Sequence, residues 1–348
     1  RISGWVVPCF YVWIEVTNVL LIIELWNLAS EVFDPRQAKR LFGLIGSGGS
    51  LAAILTGFAV RPFVTRFGIE AMLPLLSILI LSAGALALAS LGLRRPTAHP
   101  RRRQQQVRSR MHFNPYFVSI AALVALGALV TVITDYQFKI LASNTFVEEG
   151  ALISFLGEFY GVVNIITLLL QILAVGVLTT QLGILAGLLF IPSTVFLGSV
   201  GLLLSPGILA GALTKGAEQV GKFTFQTVSI ELLWTPVSVS KRRALKPIIN
   251  GTVKTIAEAA TGLLIFILLS FVDLESLSVL VMLSLGCWCL VAFRLRSLYS
   301  QTLARAIERR EIEVGEVVIG PLDAATIKMV AKTCLLYTSD AADDASSV

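Results

Sequence analysis

The stretch Ile208–Trp234, ILAGALTKGAEQVGKFTFQTVSIELLW, decides how the chain is read, because an apolar helix here carries charges where a membrane span should have none. Its polar positions Lys215, Glu218, Lys222, Gln226 and Ser229 are spaced three, four, four and three apart, which is one helical stripe. An ionised side chain at a bilayer centre costs roughly 2.5–3.5 kcal/mol on insertion scales, so three facing lipid would cost about 8–10 kcal/mol. The stripe must face protein or a water-filled cavity. Glu218 lies three residues after Lys215 and four before Lys222 and can pair with either. The following span repeats the device: Gly251, Lys254, Thr255, Glu258, Thr261 and Gly262 share a face, with small residues that let a neighbouring helix approach.

Composition carries this reading to the whole chain. Its 348 residues are 55% hydrophobic and 14% charged, with a net charge of +6, and the mean hydropathy is +0.82. An average soluble domain is about 25% charged, so an all-α integral membrane protein is expected. Cys9, Cys287, Cys289 and Cys334 show no Cys-x-x-Cys or Cys/His ligand spacing, and the histidines are His99 and His112. Disulfides, a structural zinc site and a bound cofactor are therefore not expected. Arg1 runs almost directly into an apolar span without a signal-peptide pattern; we read the chain as beginning inside a larger protein.

Nine spans are predicted. The first, about Trp5–Ala29, carries Glu15 and Glu24, with Glu24 the better interior candidate. A short charged loop with Pro35, Arg36, Lys39 and Arg40 leads to a Gly/Ser-rich span ending near Val60, in which Gly43, Ser47, Ser50 and Gly57 form a packing stripe. The run GLIGSGGS lacks both a preceding strand and the Lys-Ser/Thr of a phosphate-binding loop, so packing is the better account. A third span, about Glu70–Leu93, is apolar all round. Six more fall at about Pro115–Asp135, Ala151–Leu178, Leu182–Leu204, Gly207–Trp234, Gly251–Val272 and Leu277–Leu295.

Between the third and fourth spans lies RRPTAHPRRRQQQVRSRM, residues 94–111, with seven arginines and no acid. Without interleaved aromatic platforms this is a positive-inside loop and not a nucleic-acid surface. With it on the cytoplasmic side, Arg36, Lys39, Arg40 and the Lys241, Arg242, Arg243, Lys246 loop fall inside as well, whereas Arg61, Arg66, Lys139 and the Asp273–Glu275 turn fall outside. Three helices before a basic loop and six after it suggest a two-times-six transporter in which nine of twelve helices are present. The expected organisation is 1–93, the last three helices of a first half-bundle; 94–114, a basic central loop; 115–296, a complete six-helix second half; and 297–333, a charged cytoplasmic helix followed by the start of a helical repeat. The final CLLYTSDAADDASSV, 334–348, resembles translated sequencing-adapter read-through and is excluded from the fold reading; the alternative is a helix with an acidic tail.

Several stretches resemble a known family: FDPRQAKRLFGLIGSGGSLAAILTG (33–57), TDYQFK (134–139), GEFYGVVNIITLLLQ (157–171) and ELLWTPVSVSKRRALKPIINGTVK (231–254). They are similar to the nucleotide (ATP/ADP) translocases, above all to bacterial members whose major-facilitator-like bundle continues into HEAT repeats. The resemblance covers most of Trp5–Thr333, and DAATIKMVAK (323–332) sits where such repeats would begin. It implies a multi-pass protein of the bacterial cytoplasmic membrane that exchanges nucleotides, with interior Lys and Glu residues at the site.

On the residues themselves, Lys215, Lys222 and Lys254 would meet an anion such as a phosphate as point charges, with Glu218 and Glu258 holding them apart. Asp135 and Glu158 are further candidates. Three lysines face Glu158, Glu218, Glu231 and Glu258, which leaves the stripe without a strong positive excess. Two other readings stay open: a proton-coupled transporter of another organic solute with Glu158 or Glu258 as carrier, and a non-transporting scaffold that recruits a protein partner through its repeat arm. A purely structural Lys215, Glu218, Lys222 ladder is the bland account of the stripe. No nucleophile-and-base constellation or nucleotide-hydrolysis motif is present, so an enzyme is not expected.

Overall fold

A computed structural model describes residues 35–92, 114–177, 183–271 and 273–308, with residues 6, 9, 10, 12–14, 16, 17, 20 and 21. Most of the first expected span, the 94–111 loop, the repeat-like segment and the terminal stretch lie outside the described residues. Every described element is helical. The chain divides into two units, Arg1–Gln106 and Val107–Val348.

In the first unit, α1 (Pro35–Phe67) is followed by a short 3-10 turn, Ile69–Ala71, and α2 (Met72–Gly92). The expected charged loop at Pro35–Arg40 is instead the start of α1. Proline at the first helical position needs no N–H partner and arrives with the right φ. Gly68 ends α1 at φ +80°, a conformation cheap only for glycine, and its N–H still reaches the Val64 carbonyl at 2.9 Å.

The second unit contains α3 (Pro115–Thr145), α4 (Glu149–Val177) and α5 (Gly183–Leu204). Next comes a broken helix made of α6 (Ile208–Gly221), a π turn (Lys222–Gln226) and α7 (Thr227–Leu233). A second broken helix follows: α8 (Val239–Pro247), a π turn (Ile248–Val253) and α9 (Lys254–Leu268). The unit ends in α10 (Leu277–Glu308). Asn114 starts α3 by accepting the Tyr116 N–H on its side-chain oxygen at 3.0 Å, with Pro115 next to it as the first helical residue. α3 is central and packs against α6, α9 and α10, while α5 packs against α6 and α10.

Seven described helices are long and apolar enough to cross a membrane, which fits a multi-pass membrane protein. The Gly207–Trp234 span is not among them, because Lys215, Glu218, Lys222 and Glu231 interrupt its apolar run. α1 runs past Val60 to Phe67, so Arg61 and Arg66 are helical and not in a loop, and in the second unit three more boundaries differ from the sequence expectation. α3 runs ten residues past Asp135, so Lys139 is helical and not in a loop. The basic Lys241–Lys246 segment is α8, continuous with the next span, and the connection is the short turn after Leu233. α10 passes through Arg296 without a break. In each case polar residues extend a helix beyond the apolar stretch, where hydropathy loses sight of it.

Large apolar side chains such as Leu197, Leu209, Phe266 and Leu290 lie on the outside, and Trp234, Trp288, Tyr116 and Phe138 are fully buried. In lipid the transfer of apolar surface no longer drives association, so close packing and polar ties determine which faces meet. The Trp288 indole N–H donates to the Leu188 carbonyl at 3.0 Å, joining α10 to α5. The Gln137 amide donates to Ser278 Oγ at 2.9 Å, joining α3 to α10. The Tyr116 hydroxyl donates to the Leu233 carbonyl, joining α3 to the end of α7. α5 and α6 approach closely because residue 198 is glycine: a Cβ there would lie 2.8 Å from that of Thr214.

Candidate functional site

The stripe on the broken helix faces inward as its periodicity requires: Lys215, Glu218, Gln226 and Ser229 are buried and Lys222 is half-buried. It divides into two sites with different chemistry.

The first is a closed ion-pair network. Lys215, 4% exposed, places Nζ 2.9 Å from Glu218 Oε2 and 3.2 Å from Asp135 Oδ1. The other oxygen of Asp135 meets Lys139 Nζ at 2.7 Å, and the Tyr160 hydroxyl donates to Asp135 Oδ1 at 3.3 Å. Glu218 Oε1 accepts from Thr131 Oγ1 at 2.7 Å. Two lysines and two carboxylates balance, so the network is neutral and ties α3 to α6. Breaking one partner of such a buried pair would leave an uncompensated charge, which is far costlier than the pair itself is stabilising.

The second is a cavity of about 210 Å³, lined on one side by Val124, Gly127, Ala128 and Thr131 of α3. Its other walls carry Lys222, Gln226, Thr227, Ile230 and Glu231 of the first broken helix and Asn250, Lys254 and Glu258 of the second. Both π turns therefore reach the same cavity. Lys254 lies 3.6 Å from Glu258, and Lys246 lies 2.7 Å from Glu231. Each carboxylate in the wall has its lysine. Lys222 has no carboxylate within 4.0 Å among the described residues, and the ring of Phe223 is 5.8 Å from its ammonium.

The sequence left Glu218 free to pair with Lys215 or Lys222; it pairs with Lys215. Of the residues singled out there, Lys222, Lys254 and Glu258 line the cavity, while Lys215, Glu218 and Asp135 form the closed network. Glu158 is half-buried on α4 and is not part of the cavity wall. Among the described residues nothing makes the expected close approach at Gly251 or Gly262: a Cβ at either meets nothing within 4 Å.

Sequence reasoning missed Thr131, Asn250 and Gly127. The signal was available in the four-residue spacing Gly127, Thr131, Asp135, Lys139, a polar stripe on α3 that faces the one on α6. Gly127 matters because a Cβ there would sit 2.8 Å from the Gln226 side-chain nitrogen. Asn250 sets a buried Oδ1 in the wall without a hydrogen-bond partner. Among the described residues no group of three His, Cys, Asp or Glu stands close enough together to hold a metal ion.

Comparison of the chain with protein families, with curated proteins and with solved structures finds no match.

Proposed function

We propose that the chain belongs to a secondary transporter of an anionic organic solute, with a nucleotide of the ATP/ADP type as the most concrete candidate. The observation that carries this reading is Lys222: a lysine facing a cavity among apolar helices, with the carboxylates around it already matched by Lys246 and Lys254. Intramembrane ionisable groups are expensive and mark solute or ion pathways, and an unpaired ammonium in such a wall favours an anion. Lys254 is a secondary contact that an arriving anion draws from Glu258. The buried amide oxygen of Asn250 suits a ligand that also donates a hydrogen bond, while Val124, Ala128 and Ile230 supply an apolar face. A cavity of about 210 Å³ is below the roughly 300–1,000 Å³ of sites that enclose whole small molecules, so it suits the phosphoryl end of a nucleotide.

The test is equilibrium binding to the purified chain in detergent, with ATP, ADP, inorganic phosphate and adenosine as separate probes. ATP and ADP should raise the melting temperature with saturation and adenosine should not. Equal stabilisation by adenosine would remove the anion from the reading. Proton-coupled transport is the second reading, and Glu258 is its better carrier because it lines the cavity and its lysine is 3.6 Å away. Proton release on ligand binding that is lost in Glu258→Gln would favour it.

A further inference from the structure

The broken helix 208–233 is pinned at both ends. Upstream, Lys215 and Glu218 bind α3 through Asp135 and Thr131, and Thr214 fills the space left by Gly198. Downstream, Leu233 and Trp234 are wholly buried and the Leu233 carbonyl holds the Tyr116 hydroxyl. Between these pins lies the π turn, one residue longer per turn than an α-helix. A helical residue turns the chain by about 100° and advances it by about 1.5 Å, so the position of that extra residue governs where Lys222 points.

A π turn disrupts the regular pairing of backbone carbonyls with N–H groups four residues on, and a carbonyl within a bilayer needs a partner whether it faces protein or lipid. The Thr227 N–H, which in an α-helix would go to Phe223, goes to the Lys222 carbonyl. That carbonyl also accepts Thr227 Oγ1 at 2.8 Å. The Phe223 carbonyl receives the side-chain amide of Gln171, from α4, at 3.2 Å. Gln171 is an amide in the apolar run LLLQILAV, where a polar side chain needs a partner.

We propose that Gln171 and Thr227 are positioning residues that keep the π turn at Lys222–Gln226 and so hold Lys222 toward the cavity. Without them the extra residue is free to migrate along the helix, and each position that it passes turns by about 100°. The purpose of Lys222 rests on the anion reading above; the positioning does not.

The experiment uses the full chain with its native cysteines replaced by serine and Lys222→Cys as reporter. The rate of modification by a small, charged methanethiosulfonate reads whether position 222 faces the water-filled cavity. Gln171→Met, which keeps the shape and loses the donor, should slow labelling by about tenfold, a shift that loss of one hydrogen bond supports. Thr227→Val should do the same, and Gln171→Lys, which restores an N–H donor, should recover the rate. In a chain that retains Lys222, Gln171→Met should weaken ATP binding without lowering the melting temperature. If Gln171→Met does not fold, Thr227→Val carries the test alone. Unchanged labelling in a folded variant overturns the proposal, whatever ATP does. Slowed labelling in a chain whose parent never binds ATP upholds the positioning and sinks the anion reading.

Discussion

Replacing Lys222 with Gln separates a ligand contact from a structural charge. The side chain has no carboxylate within 4.0 Å among the described residues, so its removal orphans no ion-pair partner in the fold. The change in length is small and the position is half-buried, so the melting temperature should move by no more than a surface substitution would move it. An anion in the cavity, by contrast, loses a charge-assisted hydrogen bond worth about 1.5–3 kcal/mol, which corresponds to roughly a 10- to 150-fold weaker Kd. The assay is titration of ATP against the purified parent and the Lys222→Gln chain, with melting temperatures recorded on the same samples. Wild-type affinity in the folded variant would refute the reasoning by removing Lys222 from the site. Affinity that falls only in step with the melting temperature would return Lys222 to a structural role.

Lys215→Met should behave in the opposite way, because it leaves the buried Glu218 without its cation while Asp135 keeps Lys139; a loss of about 3–5 kcal/mol in stability is expected, read by denaturant titration. Lys254→Gln should weaken ATP binding and Glu258→Gln should recover part of that loss, since the freed carboxylate otherwise repels the ligand; the double-mutant cycle should show coupling of about 0.5–3 kcal/mol. Gly127→Val should displace Gln226 from its place against α3 and lower ATP affinity, and an unchanged Kd would show that Gln226 does not shape the site. Single cysteines in the 94–111 loop should be protected from an impermeant thiol reagent in intact cells, whereas one at Asp273 should be labelled; labelling of the 94–111 loop from outside would reverse the orientation.

Membrane class and the inward stripe were legible from sequence because both follow from local rules. Apolar runs of about twenty residues span a bilayer, and charges at three- and four-residue spacing share one helical face. That is why Lys222, Lys254 and Glu258 could be named before any coordinates. Helix ends were less legible: α3 beyond Asp135, α8 and the end of α10 are polar helices that continue spans, where the apolar signal stops but backbone pairing does not. Pairing within the stripe was not legible at all. Spacing allowed Glu218 either lysine, and the choice of Lys215 rests on Asp135 and Thr131, eighty or more positions earlier on α3. The π turn at Lys222–Gln226 also has partners that spacing along the stripe does not reveal: its Phe223 carbonyl takes the side-chain amide of Gln171, on α4. Local sequence sets which residues can share a face; contacts between distant segments select the partners, and through them which lysine of the stripe has no carboxylate within 4.0 Å among the described residues.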